Sequence, residues 1–527
     1  MSGLKISRTA SVTFVHPELE NRLAEYQLID DALGGEARVK RCTTRYLPNP
    51  EVGSENKDST SRYKAYLARA VFYNVARRTL AGLVGQVFAD DPEIELPGSL
   101  ENMAMSVDGK GVSLVQQSKK ALKRVLSKSR SGLHVDYPAA PVDDEGKPRP
   151  FTIQEVQSGQ VKPIIRNYDA IDIINWRVAD YGSEVKLSLV VLAETYDNED
   201  DESFGSETYR QFRVLRLIDG FYVQQIWRET SPTKISQTLK ANLTGNSKRF
   251  ISSGNFEIYK TYNPKNSKGQ MFDYIPFTFI GSENNDPDPD EAAFYDLASL
   301  NMAHYRNSAD AEESAFVVGQ PTPVLSGLTE KWYEDVLKGT VNFGSRGGIP
   351  LPKDGRAELL QAESNNLATE LMERKERQMV ALGAKLVEQK QVQRTAQESR
   401  LEATAEGSVL ASSALNVQSA YVWALSVACE FSGDDFSAVV FKLNLDFELN
   451  NMTAEQRRQT IEEWIKEAIS FTEMRMALRK SGSAILDDAE VIREINDARD
   501  EAVRRAEALL NLENFENDQE DDNGGDE

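Results

Sequence analysis

A chain of 527 residues with 40% hydrophobic and 27% charged side chains has the composition of a folded protein and room for about two to four domains. Its 61 basic and 83 acidic residues leave a formal charge of −22. That balance argues against a protein that grips nucleic acid, because grip comes from Lys and Arg neutralising phosphates. Cys42 and Cys429 stand far apart in no metal-like spacing, so neither a disulfide framework nor a zinc site is indicated and a reducing compartment fits. Met1 to Phe14 holds no apolar run of signal-peptide length and reads as a loose arm made and kept in the cytoplasm.

A helix is predicted after Pro17, through Leu23, Tyr26, Leu28 and Ile29 to Gly34-Gly35; the stretch with Pro48, Pro50, Gly53 and a polar run to Ser61 reads as a loop. From Tyr63 to Phe88 one continuous helix is expected, with Tyr66, Ala70, Tyr73, Leu80 and Leu83 on one side. Its basic residues, Arg62, Lys64, Arg69, Arg77 and Arg78, read as a solvated face, contact with acid being the other reading. The next helix, Ser113 to Ser129, carries the densest basic cluster, with Lys119, Lys120, Lys123, Arg124 and Lys128 followed by Arg130. No aromatics interleave it, which favours a solvated or ion-paired subunit face over nucleic-acid contact. From Gly132 the period becomes two, with strands predicted near 133–137, 164–174, 187–195, 208–217, 221–227 and 256–262. Asp219-Gly220 is a hairpin signal between two of them. The acidic run Asp197 to Glu202 reads as a surface loop, a weak cation site being the alternative.

A helix is expected after Asp290, an N-cap candidate, with Phe294, Leu297, Ala298 and Tyr305 on one face and an end near Phe316. The insert from about Phe316 to Gln361 is rich in Pro and Gly. Gly339 and Gly344 there have P-loop spacing, but Ser345 stands where the lysine must be, so the phosphate cradle fails. Leu367, Leu371, Leu382 and Leu386 keep one stripe on a helix of about 24 residues. After a polar break, a helix of about 33 residues, roughly 50 Å, is predicted from Gln397 to Cys429. Gly407 to Cys429 holds no charge and has the length of a membrane span. Its Ser, Asn and Gln load favours instead a helix buried on nearly all sides by protein, and a chain that buries so long a helix is expected to borrow neighbouring copies. Beyond it, Phe441, Leu443, Leu445, Phe447 and Leu449 alternate with polar residues as in a half-buried strand. Capping boxes at Thr453/Gln456, Ser470/Glu473 and Asp487/Glu490 open three helices, and Glu513 to Glu527, with eight acids and no base, reads as a solvated tail.

Three stretches resemble the portal proteins of tailed bacteriophages: Asp296-Leu297-Ala298-Ser299-Leu300-Asn301 through His304-Tyr305, Gly319-Gln320-Pro321-Thr322-Pro323 to Gly327, and Ala381-Leu382-Gly383-Ala384-Lys385-Leu386. Arg69 to Gly85 and Ile173-Ile174-Asn175-Trp176-Arg177 resemble the same group. Specificity lies in the order of these short motifs and in the plan of helix, insert, helix, loop and long helix. The resemblance implies a multidomain α+β portal fold: arm and first helix at 1–60, wing with helices then strands at 61–285, first stem helix at 286–315, clip at 316–362, second stem helix at 363–388, tunnel loop at 389–400, long channel helix at 401–436, helical crown at 437–512 and the acidic tail at 513–527. It implies a ring, twelve-fold by family, at one capsid vertex of the virion. The ring would be assembled in the host bacterial cytoplasm and pass double-stranded DNA non-specifically during packaging and ejection. Implied partners are the terminase large subunit, capsid and scaffold proteins and a head-tail adaptor, with no membrane. In this picture Lys390, Arg394 and Arg400 are tunnel-loop candidates for the DNA channel, a plain exposed helix connection being the equal alternative. Lys331, Trp332, Tyr333 and Arg346 are the clip candidates for motor and connector binding.

His16, His134 and His304 have no metal-ligand spacing, and no nucleophile elbow, Walker motif or HExxH is present. Asp286, Asp288 and Asp290, interrupted by prolines, read as a turn rather than a calcium loop. The expectation is therefore no enzyme, no metal and no cofactor. A membrane-associated helical scaffold anchored through Gly407 to Cys429 and an enzyme with an unrecognised site are the competing readings.

Overall fold

The computed structural model describes residues 11–51, 57–137, 162–198, 207–230, 255–320, 322–338, 349–360, 366–386, 408–445, 454–466 and 468–480, with 491 and 493. It is a mixed helix-and-sheet chain, α+β in class, that divides into two compact units, Met1–Leu445 and Asp446–Glu527.

The first unit opens with α1 (Pro17–Gly34), capped by the His16 ring, which accepts from Glu18 N, and broken by Gly35 at φ 83°. Where a loop was expected, α2 (Glu36–Arg41) and a 3₁₀ turn (Thr43–Arg45) follow. Asp31 gathers them. Its 1%-exposed carboxylate accepts from Arg38 Nε at 2.8 Å, Tyr46 Oη at 2.7 Å and Gln27 Nε2 at 3.0 Å, so a carboxylate on α1 fixes the next turn of chain.

The predicted helix 63–88 is two helices, α3 (Lys57–Arg69) and α4 (Val75–Val87). The break keeps Ala70 and Phe72 buried, which is why the apolar period runs through it. Its backbone is paired by side chains of a later helix, α7 (Tyr295–Val318): Ser308 Oγ accepts from Val71 N, and Asn301 donates to Tyr73 O and accepts from Ala76 N. Asn74 then caps α4 by accepting from Arg77 N at 2.9 Å. Two of the basic residues are ion-paired, Arg69 part-buried and Arg62 at the exposed surface. Arg69 pairs with Glu313 and lies 4.1 Å from the Phe316 ring, and Arg62 reaches Glu51 and Glu313.

After strand β1 (Glu93–Glu95) and a single turn, α5 (Asn102–Met105), comes α6 (Leu114–Lys128), closed by a reciprocal capping box between Ser113 and Gln116. Ser113→Ala removes one half of that box and is expected to cost about 1 kcal/mol, read as a lower midpoint in urea unfolding. The basic cluster of α6 splits in two. Lys119, Lys120 and Lys123 stay exposed, whereas Lys128 is buried between Asp30 (2.8 Å) and Asp169 (2.7 Å), and Arg124 binds Asn167 and Asp169. Lys128 and Arg124 thus find their acids inside the chain, and the other three keep a solvated face.

Strand β2 (Arg130–Asp136) is buried along its whole length and is the centre of a three-stranded antiparallel sheet, β3-β2-β9, with β3 at Ile164–Asp169 and β9 at Phe277–Gly281. Gly132 is required there, since a Cβ would stand 2.4 Å from the Phe277 ring. A second antiparallel sheet runs β4-β5-β6-β7-β8 in chain order: β4 Ile173–Tyr181, β5 Glu184–Asn198, β6 Glu207–Ile218, β7 Phe221–Glu229 and β8 Phe256–Tyr262. Asp219 (φ 53°) and Gly220 (φ 84°) turn β6 into β7, the left-handed pair that a type I′ hairpin needs.

An ionic cluster lies buried among these strands. Glu194 accepts from Arg213 Nε at 2.9 Å, Gln211 Nε2 at 2.9 Å and the Tyr168 hydroxyl, and Arg213 also reaches Asp136 at 3.2 Å. Burial pushes Glu194 up, but Arg213 and the Tyr168 hydroxyl override it and hold the carboxyl below its usual range. His134 sits alongside, fully buried, its Nε2 3.1 Å from Tyr222 Oη. Burial, then the charges of Arg213 and Arg166, hold its imidazole well below the ordinary histidine range.

Helix α7 carries Ala298, Met302, Tyr305 and Ala309 into the core made by α1 to α3. Asp290 does not cap it. That carboxylate instead accepts from Ser282 Oγ and Glu283 N, closing the preceding loop, and the helix starts at Tyr295 with no side-chain cap. Beyond it lie strand β10 (Thr322–Ser326), helix α8 (Glu330–Asp335), strand β11 (Arg356–Leu360) and helix α9 (Leu367–Lys385).

The helix of the charge-free stretch, α10, runs from Val409 to Ser432, past Cys429 to take in Glu430, and it begins at an N-cap, Ser408, in extended conformation, so it starts later than predicted. Thirteen of its residues are buried inside this one chain, against α6, β2 and β9 and against β12 (Val440–Lys442), the partner of β1. Its burial therefore needs no neighbouring copy. Its polar residues are fasteners: Asn416 donates to Gly281 O, Ser412 to Ser282 O, Tyr421 to Gln117, and Gln418 accepts from Leu443 N. Among the described residues no helix is long and apolar enough to cross a membrane.

In the second unit, α11 (Ala454–Ile465) precedes α12 (Phe471–Lys480), whose capping box is formed, Ser470 N donating to Glu473 and Glu473 N to Ser470 Oγ. Thr453, the third predicted box at Asp487/Glu490, and the acidic tail lie outside the described residues.

Candidate functional site

The feature with the least internal support is the insert between α7 and α9. Strands β10 and β11 pair antiparallel from Thr322↔Leu360 to Ser326↔Arg356 and form a sheet of two strands only. Gly327 (φ 75°) leaves β10, where a Cβ would stand 2.6 Å from Asp354 O. Thr329 caps α8 by accepting from Trp332 N, and Trp332 Nε1 donates to Pro350 O at 3.2 Å, which ties the short helix to the return strand.

Among its described residues the insert buries almost nothing of its own. Leu337 is its one buried apolar side chain among the described residues, whereas Leu359 and Leu360 are 68% and 67% exposed. Val324, Tyr333 and Val336 are exposed as well, and all five residues of β11 face solvent. A two-stranded ribbon is marginal by itself in water, and exposed leucines side by side mark a surface made to be covered.

The frame that presents the insert is better held. α7 and α9 pack together, His304 Nε2 lying 3.0 Å from Glu376 Oε1 and Lys375 donating to Ala303 O at 3.3 Å. Burial, then the Arg306 charge, holds Lys375 below the ordinary lysine range. Met379 is fully buried, but Leu367, Leu371 and Val380 are exposed, as are Phe316 and Val317 at the end of α7. The leucine stripe predicted for α9 thus faces solvent over its first two positions. Among the described residues no group of three or more His, Cys, Asp or Glu could hold a metal ion.

The sequence profile of a family described as a domain of unknown function, DUF4055, matches residues 293–432, the stretch from α7 through the insert and α9 to α10. No curated protein matches the chain. Among solved structures, similar chains come from gene transfer agent particles. The neck of a native particle computed with C12 symmetry gives 12% identity, a TM-score of 0.37 and coverage of 83% of this chain and 98% of that one. The neck of an empty particle computed with C6 symmetry gives 12% identity, 0.36, and coverage of 80% and 94%. The virion of the native particle gives 12% identity, 0.34, and coverage of 83% and 98%.

Of the residues singled out by sequence, Lys331 and Tyr333 are exposed on α8 and Trp332 is half-buried beside them. Arg346 and the tunnel-loop candidates Lys390, Arg394 and Arg400 lie outside the described residues. Sequence reasoning overlooked Val324, Leu359 and Leu360. The adjacency of Leu359 and Leu360 was the available signal, since on a strand it forces one leucine onto each face.

Proposed function

We propose that this chain is a portal-type subunit, which assembles into a ring, twelve-fold by resemblance, around a bore that passes double-stranded DNA at a capsid vertex. The observation that carries the reading is the insert: a ribbon with one buried apolar side chain among its described residues, joined to two packed helices and bearing exposed Val324, Leu359 and Leu360. Such a surface gains by repeating against copies of itself, and closed rings leave no copy uncovered. Charge fits the same role. A chain of net −22 makes walls that repel phosphate and hold DNA in no register. In this reading the chain has no ATPase or nuclease activity of its own, and movement comes from a separate motor docking on the insert. Lys390, Arg394 and Arg400 then form a weak positive collar in the bore. The membrane-scaffold reading loses its motive, since the polar groups of α10 already fasten loops and strands of this chain.

Light scattering on the purified protein tests the proposal. A mass many times that of one chain is expected, and the double substitution Leu359→Asp, Leu360→Asp is expected to shift it to small species with the circular dichroism of the parent retained. A parent that stays monomeric at every micromolar concentration would overturn the reading.

A further inference from the structure

A second feature stands apart from the insert. An open cleft of about 770 Å³ lies between the loop Asp108 to Ser113 with α6 on one side and strands β3, β5 and β6 on the other. Its walls carry five cations, Lys110, Lys120, Arg166, Arg210 and Arg213, against three carboxylates, in a chain whose total charge is strongly negative.

Two of those carboxylates are already engaged. Glu194 is taken by Arg213, Gln211 and Tyr168, and Asp108 Oδ1 accepts from the backbone N–H groups of Lys110 (2.8 Å) and Val112 (3.2 Å). The latter bonds, with Gly109 and Gly111 at φ 73° and 87°, make a tight loop that presents Lys110 from a fixed backbone. Among the described residues neither Lys110 nor Lys120 has a carboxylate within ion-pair distance, and Arg166 meets Asp136 through Nε at 3.3 Å. Lys120 also stands one helical turn from Arg124, which Asn167 and Asp169 hold in place. Like charges at that spacing repel. The Arg124 charge, then burial, hold the Lys120 ammonium below its ordinary range although Asp169, Asp108 and Asp172 oppose them.

We infer that this cleft binds a phosphate group, with Lys110, Lys120 and Arg166 as its donors. Ammonium groups on flexible stems suit phosphate as point charges, and a guanidinium adds a planar fork. The volume lies in the range of small-molecule sites. Tyr168 is the one aromatic residue lining the cleft and is largely buried, so the chemistry selects phosphate oxygens and not the face of a base. The inference is independent of ring assembly.

The test titrates the full chain with pyrophosphate, and separately with a short DNA duplex, at fixed ionic strength in a calorimeter. Pyrophosphate is expected to bind, and Lys110→Glu with Lys120→Glu to weaken it at least tenfold, while Lys268→Glu, an exposed lysine of another turn, changes nothing. Circular dichroism and melting of the variants confirm that both remain folded. Duplex binding weakened in the same double variant, with a salt slope shallower by about two, supports the site and assigns the phosphate to the polymer. Pyrophosphate binding alone supports it with a small phosphate ester as ligand. No binding of either by the parent, or equal binding by parent and double variant, overturns the inference.

Discussion

Glu194→Ala is expected to destabilise the first unit by about 3–5 kcal/mol, the range for removing one partner of a buried ion pair. The loss is large because three groups depend on that carboxylate. Arg213 would keep only Asp136 at 3.2 Å, and the Tyr168 hydroxyl and Gln211 amide would lose their acceptor. Glu194→Gln keeps the shape but not the charge and is expected to fall between parent and Ala. Urea unfolding followed by tryptophan fluorescence measures it, and a loss below about 1 kcal/mol for the Ala variant would show that the cluster is solvated.

Stability is also expected to fall with acid earlier than carboxylates alone would cause. His134 is held well below its ordinary value of 6.5 in the folded protein, so below that pH the unfolded chain takes up a proton that the folded one refuses. Each unit of pH lowered then costs about 1.4 kcal/mol, or about 2 kcal/mol between pH 6.5 and 5. A second loss follows at lower pH. Glu194 contributes stability above its unfolded value near 4.5, and this is lost as pH falls through the depressed folded value. His134→Gln, which can still meet the Tyr222 hydroxyl, is expected to flatten the first fall and leave the second. Urea midpoints at half-unit pH steps decide it; an unchanged profile in the variant would place the proton uptake elsewhere.

Much of the fold was legible because it rests on local chemistry. Helix α1, the Ser470 cap, the Asp219-Gly220 hairpin and strands β5 to β8 follow from period and turn residues, whereas the one strand predicted at 164–174 is β3 and the start of β4, in different sheets on either side of a 3₁₀ turn at Ala170–Asp172. The break between α3 and α4 was not legible, since no Gly or Pro marks it and its backbone partners, Asn301 and Ser308, lie more than two hundred residues away. The start of α10 was misplaced although Gly407-Ser408 is a helix-start signal. The apolar stripe that carried the prediction begins only at Leu410, and extending it back to Gln397 ran over that signal into residues outside the described ones. Strand β9 was missed because it is only five residues long, too short for its period to show. At the candidate site, the residue types of the insert were readable, but exposure was not: nothing in Leu359-Leu360 says that no core lies beneath. The ionic cleft was invisible for the opposite reason, being assembled from β3, β5, β6 and a loop that meet only in the fold.

The pairing of Thr322 with Leu360 brings the two ends of the insert side by side where it joins its helices. A segment whose entry and exit already touch is a cassette. Its removal or exchange asks the frame for only a short linker, and the entropy of closing a longer loop there rises slowly with length. Lineages carrying this frame are thereby free to swap the insert for others of different size, and an engineer is free to graft a foreign module at the same gate while α7 and α9 keep their His304–Glu376 clasp.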